Sequence, residues 1–473
     1  MLQSVYFASI LLASTAVSHV SAADTRVSDA AEHTDWPQLL LLIQNDADPN
    51  KAQPDGMTAL HWAAFHGKSE IVLQLIEAKA NVNAKTRYAV TPLSIACSVD
   101  QPKTVQHLLS AGADANQTLS GGETPLMTAA RSGNAEAVRL LLKHEAKIDA
   151  AERKGQTALM WAAAEGHVEV VAALIETGAE LNATSKSDFT AMMFAARDGR
   201  SAVIEKLLQA GVDINGLMSP EGDGKRVPRK GTSALTMAVE SGHFELAMYL
   251  VSQGADPNDQ RSGVTPLHAV AGIRKPNRGE DPDGDPPPRG SGNMTSLQFV
   301  RAIVAAGADV NTKLSQGNGG KAVLNRKGAT PLLLAANTAD VELMSLLVEL
   351  GANPQLTNVD GCTTLMAAAG IGVRAVGEEA GTEPEVIDAL KFLIGHGLDV
   401  NASDTNKETA MHGAAYRCFP QVITFLSQQG ADPAAWNHRN KYGWTPVMIG
   451  QGHRPGSFKP HQETVDALEA AMR

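Results

Sequence analysis

Gly155-Gln-Thr157-Ala-Leu-Met-Trp161-Ala-Ala-Ala-Glu-Gly166-His-Val168-Glu-Val-Val171-Ala-Ala-Leu174-Ile175-Glu-Thr-Gly178-Ala-Glu-Leu-Asn-Ala183 reads as two short helices and two turns. Thr157 is an N-cap, its hydroxyl placed to accept from an unpaired N–H of the first turn. The next position is Ala158 here but Pro92, Pro125, Pro266, Pro331 and Pro446 in sister stretches, and proline is tolerated where an N–H has no helical partner. Ala162 and Ala163 allow close backbone packing, and Gly166 ends the first helix. Val168, Val171, Leu174 and Ile175 recur at helical spacing in the second, which Gly178 closes. Neither helix is long enough to be stable alone in water, so each unit must stack on its neighbours.

Outward from this stretch the pattern recurs. Thr58, Thr91, Thr124, Thr157 and Thr190 are spaced by 33 residues, and later starts fall at Ser233, Thr265, Thr330, Thr363, Thr409 and Thr445. Thr58-Ala-Leu-His61 and Thr265-Pro-Leu-His268 open units, and Gly254-Ala-Asp-Pro-Asn258 and Gly307-Ala-Asp-Val-Asn311 close them. Period and motifs together resemble ankyrin repeats. The resemblance implies an all-α solenoid of about eleven helix-turn-helix units with short β-hairpin fingers, covering residues 35–473. Pro37–Ile43, followed by Ala47-Asp-Pro-Asn50, reads as an orphan second helix capping the N-terminal end.

The array is regular over 35–215 and carries insertions over 216–443. One insertion of ten residues falls in the finger around 217–230. The 65-residue interval from Thr265 to Thr330 holds 21 extra residues between helices, at 273–295, and 11 in the next finger, at 313–327. The Pro-, Gly- and Asp-rich 273–295 is expected to be irregular. A further insertion spans 371–383. Where the pattern has glycine, Ala89, Asp188, Lys407 and Cys418 stand instead, which leaves those turns open. Residues 444–473 form the C-terminal cap, with Gln462–Met472 as closing helix.

Residues 1–23 differ in kind. Val5 to Val17 is apolar but short for a bilayer, and Val20-Ser-Ala22-Ala23 offers small residues for cleavage, so an export signal of bacterial type is expected. Residues 24–34 read as a flexible linker. The mature chain is then expected in the periplasm or outside the cell, without a membrane span.

Chemistry is sparse. Cys97 occupies a small buried slot, and Cys362 and Cys418 lie too far apart to bridge. No Cys-x-x-Cys, phosphate loop or His-Glu-x-x-His occurs. Asp281-Pro-Asp-Gly-Asp285 departs from a calcium loop at Pro286 and Gly292. For His61, His268 and His412 the resemblance implies backbone hydrogen bonds between fingers. No catalytic residue, metal or cofactor is expected. The net charge of −11 argues against general nucleic-acid binding.

The resemblance places variable contact positions on the finger tips and at the end of each first helix, on the concave side. Those positions carry Arg87, Arg131, Arg153, Lys154, Lys186, Arg197, Arg229, Lys230, Arg261, Arg326, Lys327, Arg417 and Lys441, against Asp55, Glu123, Glu165, Asp198, Glu240, Asp360 and Glu408. Thirteen basic against seven acidic side chains leave an excess of six in a chain of −11, so the remainder carries −17. Tyr88, Phe189, Tyr416, Tyr442 and Trp444 punctuate the same face, whereas Trp62, Trp161 and Phe194 fall in core slots. A monomeric, non-enzymatic scaffold gripping an acidic protein surface is expected. Two alternatives are a ligand or enzymatic site built by the insertions at 217–230, 273–295 and 313–327, and a secreted host-directed effector.

Overall fold

The computed structural model describes residues 24–99, 101–220, 229–275, 288–321, 323–373, 376–377, 380–454 and 459–473. Twelve helix pairs and one isolated helical turn, Pro433–Trp436, make up the described secondary structure. The chain forms two compact units, residues up to Ala162 with Glu169–Glu180, and Ala163–Val168 with Leu181–Arg473. The segment 1–23, read as an export signal, lies outside the described residues.

Most helices run seven to nine residues, and the first helices of the repeats start on the expected caps. The N–H groups of Ser94, Met127, Met193 and Leu333 donate to the threonine hydroxyl three residues earlier at 3.1, 3.2, 3.3 and 3.2 Å. Burial explains how such short helices persist. Ala63–Ala64, Ala129–Ala130, Ala195–Ala196 and Ala367–Ala368 of the first helices have no exposed surface. The same holds for Leu75, Leu108, Leu141, Leu207 and Leu250 of the second helices. Cys97 fills the slot of Ala64 and Ala130 without exposure, as its packing role requires.

Asparagine joins the repeats polar group to polar group. In the first unit Asn83 Nδ2 donates to Gly112 O at 3.0 Å while its Oδ1 accepts from Asp114 N at 2.8 Å. Asn116 does the same with Glu145 O and Lys147 N. In the second unit Asn258, Asn311 and Asn401 repeat the arrangement with Gly307 and Asp309, Gly351 and Asn353, and Gly430 and Asp432. The terminal Asn of the Gly-Ala-Asp-x-Asn motif is thus a two-sided clamp, satisfying a helix-end carbonyl and an N–H of the next repeat.

Two expectations are corrected. Residues 24–34 are not a flexible linker, because Arg26–Glu32 is a helix that buries Val27, Ser28, Ala30 and Ala31. It pairs with Trp36–Gln44, so the orphan helix has its partner and the array gains a twelfth pair. The fingers form no strand among the described residues, which contain only the isolated bridges Leu217–Ser233 and Gly320–Val323. The expected irregularity of 273–295 holds over 288–295, which carry no helix or strand, residues 276–287 lying outside the described ones, and both ends of the segment are tied to the repeats. At its entry Arg274 donates to the buried Asp340 at 2.6 and 3.1 Å and to Glu342 at 3.0 Å. At its exit His243 Nδ1 accepts from Ser291 N at 2.8 Å, and Glu245 accepts from Asn293 and Met294 N–H.

The turns survive without glycine. Ala89, Asp188, Lys407 and Cys418 adopt φ of 61, 63, 58 and 57°, the left-handed region that Cβ disfavours. Ala89→Gly should therefore raise stability by about 1 kcal/mol. Gly231→Ala should lower it much more than Gly254→Ala. A Cβ on Gly231 (φ +81°) would lie 2.1 Å from Arg261 O, whereas at Gly254 (φ +102°) it meets open space. Urea unfolding of the three variants checks this order, and equal losses at the two glycines would contradict it.

Candidate functional site

Each finger closes on itself and then leans on its neighbour. In the first unit Gln53, Thr86, Leu119 and Glu152 each donate an N–H to the carbonyl four residues on, at 2.8, 3.0, 2.9 and 3.1 Å. Arg87 N donates to Asp55 O at 2.8 Å and Arg153 N to Gly121 O at 3.1 Å, binding finger to finger. In the second unit Val359 N reaches Lys327 O, Thr405 N reaches Asp360 O, and Lys441 N reaches Asn406 O, at 3.1, 2.8 and 2.8 Å. These bonds consume backbone groups and leave the finger side chains outward. Buried histidines brace the row from beneath. His61 Nε2 lies 3.1 Å from Val90 O and His268 Nε2 3.0 Å from Ala329 O, while each Nδ1 meets its own cap threonine. Burial lowers both imidazoles to a pKa of about 4, so they are neutral at physiological pH. His412 keeps the cap contact at 3.1 Å, but its Nε2 finds no hydrogen-bond partner among the described residues, so the expected finger bond is absent there.

The first unit presents Arg87, Tyr88, Arg131, Arg153 and Lys154 to solvent. The Arg87 guanidinium lies 5.1 Å from the Tyr88 ring centroid, and that of Arg131 5.2 Å from the ring of Trp161. Such stacking orients the cations without neutralising them. Trp161 is half-buried, not the fully enclosed core residue its slot suggested; Trp62 and Phe194 are buried as expected.

The second unit exposes Lys186, Arg197, Arg229, Lys230, Arg261, Arg326, Lys327 and Lys441, with Phe189, Tyr442 and Trp444 half-buried. Three of these cations are engaged at home: Arg197 with Asp198, Arg229 with Glu240, and Arg261 with Asp259. Among the described residues Lys186, Lys230, Arg326, Lys327 and Lys441 have no carboxylate within salt-bridge distance. Arg197 also lies over Phe189 and Phe194, 5.7 and 5.0 Å from their centroids.

Tyr416 and Arg417 are not contact residues. Both are buried, at 0 and 3 % exposure. Tyr416 donates its hydroxyl proton to Glu408 at 2.7 Å. Arg417 donates to the carbonyls of Ala380, Gly381 and Asn337, tying the insertion at 371–383 to the helix ends around it. Glu408 is equally hidden, at 3 % exposure, and also accepts from Asn440 Nδ2 at 2.8 Å. The sequence missed this because the end of the first helix is exposed in most repeats, whereas here an inserted segment covers Arg417 and Asn440 and Arg454 of the following repeat close on Glu408 and Tyr416. Removing Arg417 and Glu408 takes one charge of each sign, so the basic excess of the face is unchanged.

The insertions interrupt the fingers at one place. Met218 N donates to Thr232 O at 3.0 Å and Leu314 N to Ala329 O at 3.0 Å, the same closure that Ser185 N makes to Phe189 O in an uninterrupted finger. The extra residues therefore emerge from the finger turn itself, those at 221–228 lying outside the described residues. No group of three His, Cys, Asp or Glu side chains poised for a metal occurs among the described residues. All three cysteines are free.

Burial, against the hydrogen bonds from Tyr416 and Asn440, raises the Glu408 carboxyl to about 7. Unfolded, the group loses its proton near its ordinary 4.5; between that value and 7 only the folded state retains it. Stability should then fall as pH rises through this window, by roughly 3 kcal/mol in total, and stay level above it. Glu408→Gln should abolish this component, so the variant gains on the native chain between pH 4.5 and 7. Parallel urea midpoints across the window would contradict the assignment.

Comparison with known proteins places these features. The family described as Ankyrin repeats (3 copies) matches residues 28–118, 93–185, 154–217 and 192–273. Ankyrin repeats (many copies) matches 383–427, and the single Ankyrin repeat matches 327–359. The chain is 31% identical over 222 residues to a B-cell lymphoma 3 protein homolog of Mus musculus, covering 46% of this chain and 40% of that one. It is 26% identical over 253 residues to Rabankyrin-5 of Homo sapiens, covering 50% of this chain and 19% of that one. Alpha-latrocrustotoxin-Lt1a of Latrodectus tredecimguttatus is 28% identical over 130 residues, 27% of this chain and 9% of the toxin. The chain thus spans well under half the length of each of these relatives. Stacked helix pairs, asparagine clamps and capped starts coincide with matches over more than half its length, and the chain belongs to the ankyrin-repeat family.

Proposed function

We propose that this chain is a non-enzymatic scaffold that binds a protein partner through its fingers and the adjoining ends of its first helices. The observation that carries the reading is the division of labour within each repeat. Backbone groups of the fingers are spent on neighbouring fingers, helix faces are spent on stacking, and the finger side chains are left facing solvent. In both units those side chains are mostly basic, while the rest of the chain is strongly acidic. Charge opposition of this kind favours an acidic partner surface and steers its approach. The cations held over aromatic rings lose less freedom on contact than free lysines do, which favours them as anchors. We take the scaffold as monomeric and, from the residue pattern of 1–23, as exported; its matched relatives are animal proteins, so a bacterial source gains nothing from them. Among the described residues no helix is long and apolar enough to cross a membrane.

The rival reading, a ligand or enzymatic site built by the insertions, has no specific observation in its favour. A cavity of about 250 Å³ borders the insertion at 371–383, lined by Val373, Gly381, Glu383, Arg417 and Phe419 among others. Its polar groups are already committed, Arg417 to backbone carbonyls and Glu383 to the N–H of Gln421 at 2.6 Å. The host-directed effector reading finds no support in the relatives.

A quadruple variant, Arg153→Glu, Lys154→Glu, Lys230→Glu and Lys327→Glu, tests the proposal. None of the four is buried, so the unfolding midpoint should move little, while capture of a partner from extracts of the source cells should fall at least tenfold. Undiminished capture by the folded variant would refute the role of these fingers. N-terminal sequencing of the mature protein tests export; a chain that still begins at Met1 contradicts it.

A further inference from the structure

The insertion at 313–327 does not point away from the repeats. Its root is an ordinary finger: Leu314 is buried, donates to Ala329 O and accepts from Gly328 N at 2.7 Å. The eleven extra residues are therefore Ser315–Asn325, described here apart from residue 322. The outgoing limb is led off by Ser315 N, which donates to Gln260 Oε1 at 3.0 Å. The returning limb is held by Asn358 Nδ2, which donates to Asn325 O at 2.8 Å. Between the limbs Val323 N donates to Gly320 O at 3.2 Å.

The far end of this loop touches later repeats of the second unit. Leu324 closes on Gly372, just past the helix Thr364–Ala369. A Cβ on Gly372 would lie 2.4 Å from Leu324 N and 2.5 Å from Leu324 Cβ. At the tip, Tyr442 donates its hydroxyl proton to Gly320 O at 2.9 Å. Tyr442 belongs to the finger three repeats beyond the root, past those of Asp360 and Asp404. From Leu314 to Gly320 is six steps, about 20 Å of extended chain. That length crosses about two stacked helices at roughly 10 Å each, and the tyrosine ring spans most of what remains. The loop thus lies along the row of fingers as an extended strap.

Its hold is strong at the root and slight at the tip. Ser315 to Lys321 are exposed, and Gly317, Gly319 and Gly320 have no side chain with which to grip. One exposed hydrogen bond offsets little of the entropy lost in ordering glycine.

We propose that Ser315–Asn325 is an in-cis occupant of the finger face of the C-terminal repeats, holding the place of an extended, small-residue segment of a protein partner. That segment docks by displacing the strap, giving a backbone carbonyl to Tyr442 and an aliphatic side chain to the step at Gly372. The occupant's own features define this partner chemistry: main-chain hydrogen bonding, residues without bulk and one aliphatic anchor. The displacement step rests on the protein-binding reading above; occupancy by the strap does not.

Deleting Ser315–Asn325 joins Leu314 to Arg326 and shortens the interval from Gly307 to Gly351 from 44 residues to the regular 33, so the shortened chain should fold. A fluorescently labelled peptide of sequence Ser315–Asn325 is titrated into intact and shortened chains and followed by anisotropy. The shortened chain should bind it saturably and at least tenfold more tightly than the intact chain, and Leu324→Ala in the peptide should weaken binding severalfold. In the intact chain, Tyr442→Phe should speed trypsin cleavage after Lys321 at least fivefold without moving the unfolding midpoint. Cleavage unchanged by Tyr442→Phe overturns occupancy, and equal or absent peptide binding by the two chains overturns the docking role. No partner enters either measurement, so these outcomes are independent of the basic-finger capture experiment.

Discussion

Helices of seven to nine residues do not hold together in water on their own, and most of the described helices are of that length. Stacking is therefore the constraint from which the rest follows. It requires alanine-sized residues where first helices meet, leucines where second helices meet, and a polar joint that fixes one repeat on the next. Asparagine supplies that joint, because only a primary amide offers two donors and an acceptor on so short a stem. The 33-residue period is the outcome of these demands, and departures from it are tolerated only where no clamp or packing surface is interrupted.

The same constraint decides where function resides. Helix faces and finger backbones are consumed by stacking, which leaves the finger side chains and the ends of first helices. Insertions enter where they cost the stack least, at the finger turn or the link between paired helices, and so emerge beside the proposed binding face. One of them covers Arg417, and another lies along the fingers as far as Tyr442. In the second unit the C-terminal repeats consequently differ from the early ones: their face is partly covered by the chain itself.

Much of this was legible in the sequence because capping, packing and turn chemistry are local and repeat eleven times over. The caps, the closing helix at Gln462 and the buried slot of Cys97 follow directly. The helix at Arg26–Glu32 was hidden by polar surroundings, yet Thr25 lies 33 residues before Thr58 and marks it. The turns at Ala89, Asp188, Lys407 and Cys418 show the stack enforcing a left-handed backbone that local preference opposes. Tyr416 and Arg417 could not be placed from sequence, because the burial of Arg417 depends on an inserted segment packing over it and that of Tyr416 on Asn440 and Arg454 reaching back from the following repeat. The strap was equally out of reach, since nothing in Gly-Asn-Gly-Gly announces a hydrogen bond to a residue 122 positions away.

The central claim is that binding occurs on the finger side. Backbone hydrogen exchange, compared between the free chain and the chain in complex with its captured partner, reads this directly. Added protection should concentrate in the fingers around Arg153–Gly155, Lys186–Phe189 and Arg229–Gly231 and at the ends of the adjoining first helices. Protection confined to the second helices, such as Val168–Glu176 and Ser201–Gln209, would contradict it.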